Sequence, residues 1–227
     1  MTSGYRNRDD DPVEFVLIRH GETRWNLENR MQGHSDSPLT DKGLRQANAI
    51  ADRLSREKLD ALYSSDLGRA WQTVQPIAIG TGLQPIAAPG WRERNLGIFE
   101  GIEAAELPNR YPDEWARFMT WDPVYRMPDG ESSEDLRDRI EATANEFGRR
   151  HGGMRIGIVT HGGVLDMVMR IALGLPLDQK RSYSLFNASL NSFTWRNGSW
   201  RLNTWGDIRH LADAGTGDNE SVAAKSL

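Results

Sequence analysis

Two histidines stand in the same local setting, each between a short apolar run and glycine. His20 follows the apolar residues 15–18 and Arg19, and His161 follows the mostly apolar residues 156–159. A single histidine is more often structural than chemical, but a repeated arrangement favours one shared site. A neutral imidazole can act as a nucleophile, and the adjacent glycines let the backbone approach a ligand closely.

Two arginines are candidates for holding a phosphate group beside these histidines. Arg19 ends the apolar run before His20, and Arg69 follows the apolar and hydroxyl-bearing residues 61–65 by about one helical turn. The planar guanidinium offers a fork of donors that matches phosphate oxygens. Both positive charges would also lower the pKa of His20 and keep its ring neutral, as a nucleophile requires.

Phosphoryl transfer also needs an acid for the leaving group, and Glu93 is the candidate. Thr23 and Asn26 lie on the loop after His20. Each of them could bind the ligand or could serve only to shape the turn of the loop. The histidines lack the close spacing of metal ligands, and there is no cysteine, so we predict neither a metal nor a cofactor.

The spacing of apolar residues predicts the elements that must position these groups. Short apolar runs predict strands at residues 14–19, 61–65, 84–87 and 155–160. Helical spacing predicts helices that begin near Thr40, Leu67, Ser132 and Val164. This alternation predicts an α/β fold with three layers, a mostly parallel sheet flanked by helices. Ligands bind such sheets at the carboxyl ends of the strands, where both histidines are predicted to lie.

The remaining segments complete the predicted domain. Residues 189–205 alternate apolar and polar side chains around Asn197-Gly198, which predicts a C-terminal hairpin at the sheet edge. Residues 94–129 contain several aromatics and prolines without a dominant period, and we interpret them as a helical lid insertion. We therefore expect a single domain over residues 13–211, with flexible tails at 1–12 and 212–227.

The bulk composition limits the classes of partner. The formal net charge is −4, from 28 Lys+Arg against 32 Asp+Glu, which argues against general attraction to nucleic acid or to an anionic membrane. The most apolar stretch, residues 164–175, is interrupted by charged residues and is too short to span a bilayer. We expect a cytoplasmic protein that binds a small phosphorylated metabolite. Its oligomeric state stays open, with a homo-oligomer as one option.

A series of motifs in fixed order extends over nearly the whole chain. It comprises residues 17–26, Gln32-Gly33, residues 38–40, Gly43, residues 46–47, 64–70 and 72–73, Glu93, and residues 97–101, 128–132 and 160–163. In this combination the chain resembles the histidine phosphatase superfamily, the phosphoglycerate mutase-like group. The resemblance implies a phosphohistidine intermediate on His20, independence of metals, and Glu93 as proton donor and then acceptor.

The resemblance also implies which residues bind the substrate. The phosphate pocket would contain Arg19, Arg69 and His161. The further substrate-binding residues would be Thr23, Asn26, Gln32, Gly33, Arg94 and Gly162.

The branch of the superfamily is an open choice between two activities. The chain has Leu96 and Ala104 where cofactor-dependent mutases carry a tyrosine and a lysine that help hold the substrate carboxylate. The Gly-Ile-Phe-Glu-Gly run at residues 97–101 resembles the phosphatase branch instead. We predict a phosphatase, with phosphoglycerate mutase as the alternative. A third reading is a relative that binds a phosphorylated ligand without turnover.

Substrate specificity is predicted to reside in the insertion. Its arginines could reach an anionic leaving group, and its aromatic residues either form an apolar wall of the site or pack the insertion onto the core. The arginines are Arg110, Arg117 and Arg126, and the aromatics are Trp115, Phe118 and Trp121.

Overall fold

A six-stranded mixed sheet forms the centre of the molecule in the computed structural model, which describes residues 11–213. The strands are β1 (Val13–Arg19), β2 (Ala61–Ser64), β3 (Pro85–Ala87), β4 (Arg155–Thr160), β5 (Leu190–Arg196) and β6 (Ser199–Asp207). They lie in the order β3-β2-β4-β1-β5-β6, with the first four parallel to one another. The last two form the predicted antiparallel hairpin, so the expected α/β fold is confirmed.

Helices cover both faces of this sheet. They are α1 (Arg24–Leu27), α2 (Asp41–Leu54), α3 (Gly68–Thr81), α4 (Leu107–Arg110), α5 (Pro112–Phe118), α6 (Ser133–Arg150), α7 (Gly162–Leu173) and α8 (Arg209–Asp213). One apolar core contains residues of α6 and α7 on one side of the sheet, and a second contains residues of α2 and α3 on the other. This arrangement gives the three layers expected from the alternation of elements.

Local sequence explains where the long helices begin. Thr40 caps α2, since its hydroxyl oxygen accepts a hydrogen bond from the backbone of Gly43 at 2.9 Å. Ser132 and Asp135 form a reciprocal capping box at the start of α6. Helix α7 begins at Gly162, two residues earlier than predicted, because both glycines after His161 adopt helical geometry. The N-terminus of α7 therefore directly follows His161.

The insertion is helical only in part. Within residues 94–129 the structure has the short helices α4 and α5 and a 3₁₀ turn at Gly97–Phe99. A third apolar cluster, centred on Phe99, holds these pieces together, with Trp115 and Phe118 packed against it. The predicted flexible tails fall outside the described residues, except for a few residues at their inner ends. No helix of the described chain is both long and apolar enough to cross a bilayer.

Close packing between α6 and β5 gives a test of this core. Gly148 is buried, and a Cβ atom there would overlap the ring of Trp195 on β5. We expect Gly148→Ala to lower the free energy of unfolding by about 1–2 kcal/mol, measured by urea denaturation. Alanine otherwise stabilises a helix by about 1 kcal/mol relative to glycine, so a stabilised variant would contradict the packing. Arg149→Ala, at the exposed neighbouring position, should change the free energy by less than about 0.5 kcal/mol.

Candidate active site

A cavity of about 180 Å³ opens at the carboxyl ends of the central strands. Nine of the sequence-predicted site residues line it, namely Arg19, His20, Asn26, Gln32, Gly33, Arg69, Glu93, Arg94 and Gly162. The structure thus brings together groups that are distributed over more than half of the chain. His161 and Thr23 are buried behind the cavity wall.

The ring of His20 is oriented by the backbone next to it. Strand β1 delivers His20 to the end of the sheet, where its backbone N–H donates to the carbonyl of Thr160 at 3.0 Å. The ring Nδ1 lies 2.8 Å from the carbonyl oxygen of Gly21. A carbonyl oxygen only accepts, so Nδ1 carries the hydrogen and Nε2 of the neutral ring keeps its lone pair.

The surroundings of His20 favour this neutral ring. Burial lowers the pKa of His20 well below its usual value, and the charges of Arg69 and Arg19 lower it further. The bond to Gly21 acts in the opposite direction but does not reverse the shift. The depressed pKa expected from the flanking arginines is therefore found, although burial is the larger cause.

His161 packs beside His20, with ring centroids 5.2 Å apart. Its Nε2 lies 2.8 Å from the hydroxyl of Ser65, whereas its buried Nδ1 has no hydrogen-bond partner among the described residues. Burial again lowers the pKa of His161 well below its usual value, followed by the charge of Arg69 and then that of His20. The two rings form one uncharged pair behind the N-terminus of α7, an end that attracts anions.

Arg69 is held mainly by backbone carbonyls of the loop after α1. Its Nη1 donates to the carbonyl of Ser35 at 2.8 Å and to Oδ1 of Asp36 at 3.0 Å. Its Nη2 donates to the carbonyl of Gly33 at 2.7 Å, while the buried Nε has no partner among the described residues. The buried Nε therefore keeps one N–H donor that no atom of the described residues accepts.

Arg19 and His20 also depend on a loop that the sequence analysis missed. Nη1 of Arg19 donates to the carbonyl of Leu185, and Nδ2 of Asn187 donates to the carbonyl of His20 at 3.0 Å. The backbone N–H of Ala188 donates to the carbonyl of Arg19 at 3.0 Å. The predicted hairpin could have indicated this loop. Because β5 is antiparallel to β1, the residues before β5 lie at the carboxyl end of β1.

Glu93 lines the cavity next to the start of α7. Its carboxylate accepts hydrogen bonds from the backbone N–H of Gly163 at 3.0 Å and from that of Arg94 at 2.8 Å. A Cβ atom on Gly163 would overlap the carboxylate, so a glycine is needed for this close approach. Glu93 is thereby fixed at the helix N-terminus, on the same cavity as His20.

Thr23 acts on the cavity only through its neighbours. Its hydroxyl oxygen caps α1 by accepting from the backbone of Asn26 at 3.1 Å. The same hydroxyl is 3.0 Å from Oδ1 of Asn26 and 3.1 Å from Oε1 of Gln32, two side chains that do line the cavity. In this structure Thr23 therefore shapes the loop and does not line the cavity.

Arg94 adds a further positive charge to the cavity, beside Arg19 and Arg69. Its Nε donates to the carbonyl of Glu131 at 2.9 Å, and its Nη1 donates to the hydroxyl of Ser133 at 3.1 Å. The guanidinium carbon lies 5.7 Å from the ring centroid of Phe118. Among residues 11–213 no carboxylate forms an ion pair with Arg94, and burial is the largest cause of its lowered pKa. This arginine can therefore bind an anionic group of a ligand.

The arginines predicted to reach a leaving group from the insertion do not line the cavity, so that prediction is wrong. Arg117 lies over the ring of Tyr125, Arg110 lies near Tyr111, and Arg126 pairs with Asp135 at 2.6 Å. The cavity instead includes Arg30, Arg170 and Arg181, together with the aromatic residues Phe118, Trp121 and Tyr125. Two of the predicted aromatics thus face the cavity, and Trp115 packs inside the insertion.

The described residues contain no cluster of three or more histidine or carboxylate side chains that could hold a metal ion. The cationic groups on the cavity are guanidinium side chains and the N-terminus of α7. These groups favour the binding of an anion. The Nε2 atom of His20, which keeps its lone pair, belongs to the same cavity. The arrangement can therefore hold a phosphate ester in a cavity that also carries a nitrogen nucleophile and a carboxyl group.

Fold and cavity together define an α/β protein with a cavity at the carboxyl edge of its sheet that is lined by His20 and several arginines. Residues 15–208 match the sequence profile of the histidine phosphatase superfamily (branch 1). The chain belongs to this superfamily, whose members include phosphatases and mutases.

Individual relatives carry both kinds of name. Phosphoglycerate mutase-like protein 4 of Arabidopsis thaliana is 37% identical over 217 residues, covering 94% of this chain and 93% of its own length. The metal-independent phosphoserine phosphatase of the same organism is 38% identical over 212 residues, covering 91% and 87%. Among solved structures, YhfR of Bacillus stearothermophilus superimposes with a TM-score of 0.81 at 33% identity, covering 88% of this chain and 99% of its own.

The lowered pKa values of His20 and His161 predict how stability depends on pH. Below the ordinary histidine pKa of 6.5, these rings take up protons in the unfolded chain but not in the folded one. Acidification from pH 6.5 therefore favours unfolding, by up to about 1.4 kcal/mol per pH unit for each ring. Urea unfolding at pH 7.5, 6.5 and 5.5 should show a falling free energy, with a shallower fall in His20→Asn. Equal slopes in the two proteins would contradict a neutral buried His20.

Proposed function

We propose that this protein is a metal-independent phosphatase that hydrolyses a small phosphomonoester through a phosphohistidine on Nε2 of His20. The observation that carries this proposal is the position of the His20 ring, whose Nδ1 lies 2.8 Å from the carbonyl oxygen of Gly21 while Arg19 and Arg69 line the same cavity. A nucleophile with a free lone pair beside two fixed cations is what phosphoryl transfer needs.

The reaction has two balanced halves. The lone pair of Nε2 attacks phosphorus in line, an N–P bond forms, and the bond from phosphorus to the leaving oxygen breaks. Protonated Glu93 gives its proton to that oxygen and releases an alcohol. Water then attacks the phosphohistidine, the Glu93 carboxylate accepts the proton of water, and the N–P bond breaks. The second half releases inorganic phosphate and restores neutral His20.

The positive charge for this chemistry comes from the protein itself. Arg19 and Arg69 bind the equatorial phosphate oxygens, and the buried Nδ1 of His161 and the N-terminus of α7 provide further polar groups nearby. The relative from Arabidopsis thaliana is a metal-independent phosphoserine phosphatase by name, which supports hydrolysis without a metal.

The substrate is a small phosphorylated metabolite with an additional anionic group. Arg94 binds that group, because it lines the cavity without a carboxylate partner in the described chain. Phe118 and Trp121 face the part of the substrate between the two anionic ends. Such a metabolite agrees with the cytoplasmic location expected from the sequence.

Mutase activity is the second candidate, because phosphoglycerate mutase-like relatives cover almost the whole chain. A mutase returns the phosphoryl group to its substrate and must exclude water from the phosphoenzyme. The phosphatase is favoured by Leu96, a buried apolar side chain on the cavity where the mutases carry a carboxylate-binding tyrosine.

The nucleophile is tested by trapping the phosphoenzyme. Brief incubation with a ³²P-labelled phosphomonoester, followed by quenching in alkali, should leave label on His20 that is stable in base and labile in acid. His20→Asn should carry no label and lose at least about 10⁴-fold in kcat/KM. A labelled His20→Asn protein would contradict the assignment of the nucleophile. If p-nitrophenyl phosphate and all phosphorylated metabolites fail to turn over, the chain is a non-catalytic binder.

The acceptor is tested with 3-phosphoglycerate, with and without 2,3-bisphosphoglycerate. The proposal predicts release of inorganic phosphate, if this ester is accepted, and little 2-phosphoglycerate in either reaction. Phosphoserine is tested in parallel as a second substrate. Interconversion of the phosphoglycerates faster than phosphate release would identify the protein as a mutase.

A further inference from the structure

The carboxylate of Glu100 does not line the cavity, yet it accepts four hydrogen bonds directly behind it. Oε1 accepts from the backbone of His34 at 2.8 Å and from that of Leu96 at 3.0 Å. Oε2 accepts from the backbone of Ser35 at 2.8 Å and from its hydroxyl at 2.6 Å. One charged group of the insertion thus fixes two segments that reach the site.

The first of these segments holds Arg69. The carbonyls of Gly33 and Ser35 accept from the two Nη atoms of Arg69, so the position of this loop determines the position of the guanidinium. Gly33 has a φ of +54°, and a Cβ atom there would overlap the Glu100 carboxylate. The loop is therefore shaped to approach Glu100, and backbone donors to a carboxylate form strong hydrogen bonds.

The second segment carries the predicted acid. The bond from Leu96 to Glu100 closes the turn that follows Glu93 and Arg94. The ring Nε2 of His34, next to Ser35, lies 2.9 Å from the backbone carbonyl of Glu93, which can only accept. The loop that holds the phosphate clamp and the turn that carries the acid are therefore linked at Glu100.

We infer that Glu100 is a positioning residue that holds the Arg69 guanidinium in place for phosphate and links it to the turn that carries Glu93. It touches neither substrate nor reacting atoms, and it acts through the carbonyls of Gly33 and Ser35. This inference depends on the phosphate pocket of the proposed function, but not on turnover. It also gives a role to the Gly-Ile-Phe-Glu-Gly run at residues 97–101, beyond marking a branch of the superfamily.

The test measures binding of inorganic phosphate by isothermal titration, well below the unfolding temperature. Glu100→Gln replaces one acceptor oxygen by an NH₂ group that must face backbone N–H donors. We expect the Kd for phosphate to rise roughly tenfold or more, since hydrogen bonds to a charged group are lost. Glu106→Gln removes the same charge from an exposed position of the insertion, and its Kd should equal that of the wild type.

A double-mutant cycle separates positioning from general stability. Arg69→Gln alone should also weaken phosphate binding, and adding Glu100→Gln to it should change the Kd by less than about twofold, because Glu100 affects phosphate binding through the position of Arg69. An additive effect, or an unchanged Kd in Glu100→Gln, would overturn the inference.

A milder variant covers the case in which Glu100→Gln fails to fold. Ser35→Ala removes only the hydroxyl bond to Glu100 and leaves the carbonyl that holds Arg69. It should raise the Kd for phosphate several-fold, and a wild-type Kd in this folded variant would count against Glu100. A wild-type protein that does not bind phosphate would instead refute the phosphate pocket itself.

Discussion

The hydrogen bond from Nδ1 of His20 to the carbonyl of Gly21 is the interaction on which the site depends. It selects one tautomer of the ring and directs the lone pair of Nε2 away from the backbone. Burial and two nearby arginines then remove the competing protonated state, in which no lone pair would exist. Orientation and charge state therefore have separate causes, one local to the turn after β1 and the other spread over the pocket.

Placing cations next to a buried imidazole has a cost, because each guanidinium must be desolvated. Hydrogen bonds to backbone carbonyl oxygens offset much of this desolvation free energy. Arg19 donates to Leu185, Arg69 to Gly33 and Ser35, and Arg94 to Glu131, in each case at the backbone. A neutral carbonyl oxygen accepts a hydrogen bond from an N–H group and leaves the positive charge of the guanidinium in place. A carboxylate would accept the hydrogen bond and also neutralise that charge. Asp36 additionally forms an ion pair with Arg69 from an exposed position.

The sequence was sufficient for the parallel strands, for the antiparallel hairpin, and for most of the residues that line the cavity. Strands β1 and β4 each contain a short, mostly apolar run, and the residues that follow these runs identified the two histidines. The positions of Arg110, Arg117 and Arg126 could not be obtained in this way, because the insertion has no regular period and folds around Phe99. The contributions of Leu185, Asn187 and Glu100 were also missed. Each depends on which backbone atoms meet in space, and residue types do not encode that directly.

The antiparallel hairpin has a consequence for how the protein becomes competent during synthesis. All side chains proposed to take part in chemistry have been made once the ribosome has passed Gly163. Strand β1, however, still lacks its β5 neighbour at that stage, and Arg19 lacks the carbonyl of Leu185. The carbonyl of His20 likewise has no contact with Asn187. A nascent chain therefore carries the reactive groups well before it can arrange them, and completion of the last two strands is the step that assembles the pocket.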